Sequence, residues 1–192
     1  MILGILSDTH GRRQIAAVAL RLLQQLGAEA FVHCGDVGGP ALLDEFAGRR
    51  AWVLYGNMDD VDAARLCEAG DPGLTVSVSG PLRIELDGRV LAVFHGHEAE
   101  FARWIDALDT HGALPPACGR CDYILHGHTH RVRDVRVGAV RIINPGALYR
   151  AAVHTVATLD LQSDMLQFWQ VSNEARPAGP VRYDLARCRG AE

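Results

Sequence analysis

Seven side chains able to hold a metal ion fall in five short blocks of this sequence. They are Asp8 and His10 in SDTHG, Asp36 in HCGDV, Asn57 in YGNMD, His95 in FHGHE, and His128 with His130 in HGHTH. Carboxylate, amide and imidazole donors without a thiolate suit a pair of Mn, Fe, Zn, Co or Ni ions. Asp36 offers two oxygens, enough to bridge two cations, while Asn57 offers a neutral amide oxygen and His95 an imidazole for the second ion. Asp8 and His10 are one residue apart, as are His128 and His130. In an extended segment each pair would point its side chains the same way and could share one ion. Two cations side by side imply metal-assisted hydrolysis.

Each block ends an apolar run, which carries its polar residues to one edge of a sheet where several such edges can converge. Ile2 to Leu6 reads as a buried strand, and Ile15, Val18, Ala19, Leu22, Leu23 and Leu26 recur at helical spacing until Gly27. Ala30 to His33 is a second strand, Pro40 to Phe46 a short helix begun by Pro, and Ala51 to Tyr55 a third strand. Consecutive βαβ units imply parallel pairing. After Asp71 the runs Leu74 to Val78, Leu82 to Leu86 and Arg89 to Phe94 are short, and Asp87-Gly88 is a hairpin signal, so antiparallel pairing is expected there. Glu98 to Leu108 reads as a helix and Tyr123 to Leu125 as a buried strand. Val132 to Val137, Val140 to Ile143, Thr155 to Leu161 and Met165 to Val171 are further strands. Residues 1–172 therefore read as one domain, and 173–192, polar and without periodicity, as a loosely held C-terminal tail.

Composition narrows the function. The 192 residues are 48% hydrophobic, enough for a sizeable core. A formal charge of -4 supplies no basic footprint, so neither stable nucleic-acid binding nor attachment to an anionic membrane is expected. All 19 Lys-plus-Arg residues are Arg. Without Lys there is no Walker lysine for a nucleotide phosphate and no Schiff base. The N-terminus is apolar only briefly and has no basic start, so a cytoplasmic protein is expected. Five Cys, an odd number, argue against a disulfide framework. Cys118 and Cys121 form a CxxC with no second half to complete a zinc site, and read as part of a loop entering the strand at Tyr123.

In their order, the blocks DTH, GD, GN-x-D, HGH and GHTH resemble the calcineurin-like metallophosphoesterase superfamily, and their spacing resembles its small single-domain phosphodiesterase branch. The likeness runs from residue 2 to about 146, where NPG at Asn144 to Gly146 resembles a turn of that branch. It implies an α/β fold, a four-layer αββα sandwich of two mixed β-sheets flanked by helices. It also implies one metal ion held by Asp8, His10, Asp36 and His130, and a second held by Asp36, Asn57, His95 and His128. Mn is the favoured ion, with Ni, Fe, Zn or Co able to take the same donors. The implied reaction is attack of a metal-activated hydroxide on phosphorus in line with the departing alkoxide, without a covalent enzyme intermediate.

Many members of the family carry a His after the GN Asn as proton donor to the leaving group. Here that position is Met58, which cannot donate a proton. The departure favours small phosphodiester substrates, and leaves His97 as the candidate phosphate contact or acid, with Asn57 also at the substrate. Two alternatives stand beside this reading: a phosphomonoesterase or nucleotide hydrolase, and a protein-binding scaffold like the retromer subunit that shares this fold. A scaffold would have decayed ligands, whereas every ligand position is filled here. His33, His111, His126 and His154 read as structural, with His126 placed for a hydrogen bond behind the ligands. Asp59 and Asp60 read as loop anchors, supports of a ligating His, or a helix cap near Val61. Substrate choice is assigned to the loops Val61 to Pro72 and His111 to Gly119. A homo-oligomer through an edge of the β-rich C-terminal third is compatible with the pattern.

Overall fold

Two β-sheets stack face to face with a helix on each outer face, so three apolar layers separate four structural ones. The computed structural model describes residues 1–60, 71–172 and 180–185. The first sheet has seven strands in the order β12-β11-β10-β1-β2-β3-β4. These are β1 (Ile2–Leu6), β2 (Ala30–Cys34), β3 (Ala51–Leu54), β4 (Leu74–Ser77), β10 (Thr155–Asp160), β11 (Met165–Gln170) and β12 (Val181–Tyr183). The second has five, β5-β6-β7-β9-β8, formed by β5 (Leu82–Leu86), β6 (Arg89–Val93), β7 (Tyr123–Leu125), β8 (Arg133–Val137) and β9 (Val140–Asn144). This is the α/β sandwich of two mixed sheets that the sequence implies.

The strands are apolar on both faces because both faces are covered. On β1, Leu3 and Ile5 point between the sheets with Val32, Leu54, Leu91 and Leu125. Leu6 faces the other way, onto helix α1 (Arg13–Gln25), whose buried stripe is Ile15, Ala16, Ala19, Leu20 and Leu23. Each fully buried Leu on that stripe contributes roughly 2 kcal/mol of burial free energy. Helix α2 (Ala99–His111) sets Trp104 and Leu108 on Ala92, Phe94, Ile124 and Ile142 of the second sheet, and stops at Gly112 in a left-handed conformation.

Strands β1, β2 and β3 run parallel, as do β6, β7 and β9, and the β5–β6 and β10–β11 hairpins are antiparallel. Pro40–Phe46 is helical as expected, in the tighter 3-10 form with Pro in its first turn. Two expectations change. Strand β4 pairs parallel with β3, not antiparallel; the connection after Tyr55 is long enough for the crossover of about a dozen residues that parallel pairing needs. Within the segment read as a loose tail, Val181–Tyr183 adds antiparallel to β11, because the exposed edge of β11 offers backbone partners to a strand too short to show periodicity. Residues 61–70 of the expected specificity loop, 173–179 and 186–192 lie outside the described residues. Among the described residues no helix is long and apolar enough to cross a membrane.

Candidate metal centre

The parallel strands β1, β2 and β3 of one sheet and β6 and β7 of the other all end at the same edge, and each hands its chain to one of the five blocks. The loops are stitched together by their backbones. Asp8 N–H donates to Gly35 O (3.0 Å), His10 N–H to Asp36 O (2.9 Å), Gly11 N–H to Val37 O (2.7 Å) and Gly127 N–H to His95 O (2.8 Å). The expected extended geometry of the paired ligands is not what forms. Asp8, His10, Asp36, His128 and His130 all sit at positive φ, between 46° and 66°. Such left-handed non-glycine residues persist only where the surroundings over-determine them, as the cross-loop hydrogen bonds do here. Gly127 must be Gly, because a Cβ there would come within 2.7 Å of Asp8 Oδ2 and 2.9 Å of Cys34 O.

The candidate ligands converge. One ligand atom from each of Asp8, His10 and His130 lies within 4.8 Å of the others, and the same holds for Asp8, Asp36 and His95. Asp36 divides its oxygens between the two groups, with Oδ2 3.4 Å from His10 Nε2 and Oδ1 3.3 Å from His95 Nε2. Asp8 Oδ1 is 3.1 Å from His130 Nε2. The His128 ring stands 5.1 Å from that of His95 and lines, with His10, Asp36 and Asn57, a cavity of about 540 Å³ over the cluster. Asn57 is exposed on this rim. His97 is 38% exposed, its ring 5.5 Å from His95 and 6.2 Å from His128. The Met58 side chain is 67% exposed, while its backbone N–H donates to Asp36 Oδ1 (3.0 Å).

These residues fit a cation pair. Asp8 Oδ1, His10 Nε2 and His95 Nε2 are buried without a hydrogen-bond partner, although they face one another. His95 Nδ1 lies 2.9 Å from Cys34 O, which fixes a proton on that nitrogen and leaves Nε2 aimed at the cluster, where it would ligate a cation once free of its own proton. Burial pushes the Asp8 carboxyl up, more than Ser7 and the nearby imidazoles pull it down. Burial also opposes ionisation of Asp36, but His95, the Met58 N–H and His10 outweigh it and hold the carboxyl at about 2. A buried carboxylate pair among inward-facing imidazole nitrogens lacks only positive charge.

Several supports were legible only in part. Asp59, read as a loop anchor, takes N–H groups from Gly56 (2.7 Å), Val37 (2.9 Å) and Gly38 (2.6 Å), tying the β2 and β3 loops together. Glu98 receives the N–H groups of His95 (2.8 Å) and Gly96 (2.7 Å). Asn144 of NPG donates to Gly127 O (2.8 Å) and Thr129 Oγ1 (3.1 Å), holding the HGHTH loop. His33 is structural: buried, it lies 3.0 Å from Thr9 Oγ1 and accepts the Gly35 N–H. His126 sits behind the ligands, 3.3 Å from Asn144 Nδ2 and packed on Phe101. The CxxC is a loop that leaves the short 3-10 segment Pro116–Cys118, its Cys118 carbonyl held by Arg83, and Cys34, Cys118 and Cys121 are free thiols. Sequence reasoning missed Arg12, Tyr149 and Arg150 on the cavity rim. Both arginines lie within four residues of a ligand candidate or of NPG, but nothing in their spacing sets them apart.

The model of the calcineurin-like phosphoesterase superfamily domain matches residues 1–164. Phosphodiesterase MJ0936 of Methanocaldococcus jannaschii is 26% identical over 167 residues, 84% of this chain and 94% of that one. Among solved structures, an archaeal phosphodiesterase superposes with a TM-score of 0.74 at 23% identity, over 89% of this chain and 100% of its own. Vps29 of Entamoeba histolytica, complexed with Zn2+, superposes with a TM-score of 0.59 at 18% identity, over 96% of this chain and 100% of its own. These two structural likenesses bear on the fold.

Proposed function

The chain belongs to the calcineurin-like phosphoesterase superfamily, and from that premise we propose that it is a phosphodiesterase working with two divalent cations, Mn the favoured ion. Asp8, His10, Asp36 and His130 would hold one cation, and Asp36, Asn57, His95 and His128 the other. Bound there, the pair would supply charge for the nonbridging phosphate oxygens and would acidify a water near neutral pH. The observation that carries this reading is the split of Asp36, whose two oxygens face different imidazoles at 3.4 and 3.3 Å.

The chain's own residues do the rest. The left-handed loops hold the donors before any ligand arrives, which removes reorganisation from the reaction. His97, partly exposed beside His95 and His128, would contact the phosphate or pass a proton to the leaving oxygen. Met58, beside Asn57, has no proton to give, so diesters with stable leaving groups are favoured over monoesters. The similarity to phosphodiesterase MJ0936 points the same way.

The test is hydrolysis of bis(4-nitrophenyl) phosphate and 4-nitrophenyl phosphate by metal-stripped protein refilled with Mn. Diester turnover that requires Mn and disappears in Asp36→Asn is the expected result. A His97→Ala protein should lose rate on diesters with poor leaving groups more than on the nitrophenyl ester; wild-type turnover kept on both would remove the acid role. Absence of turnover with any divalent ion would favour the protein-binding scaffold, for which the fold shared with Vps29 is the precedent.

A further inference from the structure

The chain is net acidic at -4, yet the rim of the metal centre and the groove that continues from it are lined by guanidinium groups. Arg12 and Arg150 both lie against Tyr149, their Cζ atoms 4.4 and 5.1 Å from its ring centroid, and that ring is 4.7 Å from His10. An aromatic plate of this kind holds long cations in place at the mouth of a site. Beyond His130 and Arg150 opens a groove of about 840 Å³, within the range of about 300–1,000 Å³ usual for small-molecule sites.

Arg133 lines this groove, and Ala151 and Val153 form part of its apolar wall, Val153 being 41% exposed. Among the described residues its lining includes one carboxylate, Asp134, and the Arg141 fork already grips both oxygens of that group, Nε to Oδ1 at 2.8 Å and Nη2 to Oδ2 at 2.9 Å. The groove thus presents positive charge and an apolar wall next to the position of the scissile phosphate. A simple diester carries one negative charge, which the cation pair already meets. Arginines farther along match a second anion, and their planar forks suit phosphate.

We propose that this groove binds the retained half of the diester, a ring-bearing group with a second phosphate that Arg150 and Arg133 grip while the ring lies on Ala151 and Val153. The inference rests on the phosphodiesterase reading and names its substrate class: phosphodiesters bearing a further phosphate on the half that is not expelled.

The test compares thymidine 5′-(4-nitrophenyl) phosphate with the same compound phosphorylated at the 3′ oxygen, on Mn-loaded protein. Both release nitrophenolate, so only the retained half differs. The doubly phosphorylated diester should show about a tenfold higher kcat/KM, carried by KM. That preference should fall to near one in Arg150→Gln and shrink in Arg133→Gln, and should persist in Arg103→Gln, which removes an exposed charge from α2. Calorimetric binding of thymidine 3′,5′-bisphosphate against thymidine 5′-phosphate gives a second readout with the same expected ratio. Equal kcat/KM for the two diesters, or a preference that survives both groove variants, overturns the proposal. If neither diester is cleaved with Mn, the phosphodiesterase reading fails, and the binding ratio alone decides whether the groove takes a second phosphate.

Discussion

Gly56→Ala should disable the metal centre by moving one carboxylate. Gly56 joins β3 to Asn57, and its φ is not in the left-handed region, so Ala meets no backbone penalty there. The cost is steric. A Cβ would press on Asp36 Oδ1 and lie 2.5 Å from Asp36 N and 2.9 Å from its Cγ. The approach to Asp36 N falls 0.9 Å short of the 3.4 Å at which ordinary contact begins. Backbone cannot swing aside as a flexible side chain would, and the carboxylate is pinned by the Met58 N–H at 3.0 Å. The required displacement is therefore about 1 Å at the group that faces both imidazole sets. A shift of that size in a reacting array costs about 100-fold, and overpacking costs about 1–3 kcal/mol of stability. The assay is kcat/KM on bis(4-nitrophenyl) phosphate across a Mn titration, with Mn affinity by calorimetry and a thermal melt in chelator. The expected protein is folded, melts about 2–4 °C lower for each kcal/mol lost, binds Mn more weakly and is about 100-fold slower at saturating Mn. Gly48→Ala is the control, because it strains a residue at φ +70° with open space around it and should lower the melt while sparing kcat/KM. Wild-type turnover and Mn affinity in Gly56→Ala would refute the placement of Asp36 at the centre of the chemistry.

Two further outcomes follow from ionisable groups set by their surroundings in the fold. Burial, followed by the repulsion of nearby positive charge, holds His33 at about 3, and burial holds His126 at about 4, both below the ordinary 6.5. The fold therefore prefers them neutral: stability is intact above about pH 6.5 and falls as the pH drops toward the folded values. For His126 the loss is about 1.4 kcal/mol per pH unit, roughly 3 kcal/mol in total. Denaturant unfolding in chelator between pH 7.5 and 4.5 should be less pH-dependent in His126→Gln by that slope, and an unchanged slope would contradict the buried neutral state. Asp164, in the β10–β11 turn, accepts from Tyr123 Oη (2.9 Å) of the other sheet and from Arg141 Nη1 (2.8 Å), and pairs with Arg136. Asp164→Asn should lower stability by about 1–2 kcal/mol, seen as a lower melt with KM unchanged.

The donors were legible because each stands where an apolar strand gives way to Gly and a polar residue, a change of pattern visible one segment at a time. The four layers were implied by the resemblance those blocks carry, and strands apolar on both faces agree with it, since they require a cover on each side. What the pattern hides is set by partners distant in the chain. β4 lies parallel to β3 through a crossover, and β12 exists because β11 has a free edge. Arg12 and Arg150 become a pair only when Tyr149 is folded between β9 and β10 and brought against His10.

The ligand conformation shows most clearly where local reasoning stops. A one-residue separation suggested two side chains on one side of an extended strand; donor atoms of Asp8 and His10 do lie within 4.8 Å of each other, but by another route, while the His128 ring turns to His95 and His130 to Asp8. All four of these residues, and Asp36 with them, adopt left-handed backbone, a state costing of order 1–3 kcal/mol per residue that the mild left-handed tolerance of Asp and His does not by itself repay. The cost is borne by bonds between loops, such as His10 N–H to Asp36 O and Gly127 N–H to His95 O, which form only when both sheets are assembled. The same assembly leaves Asp8 Oδ1, His10 Nε2 and His95 Nε2 buried and unmatched. Strain and unmatched polar groups thus sit at one place, and cations entering there would meet donors already aimed, so the proposed metal affinity would depend on the packing of the two sheets as much as on the seven candidate side chains themselves.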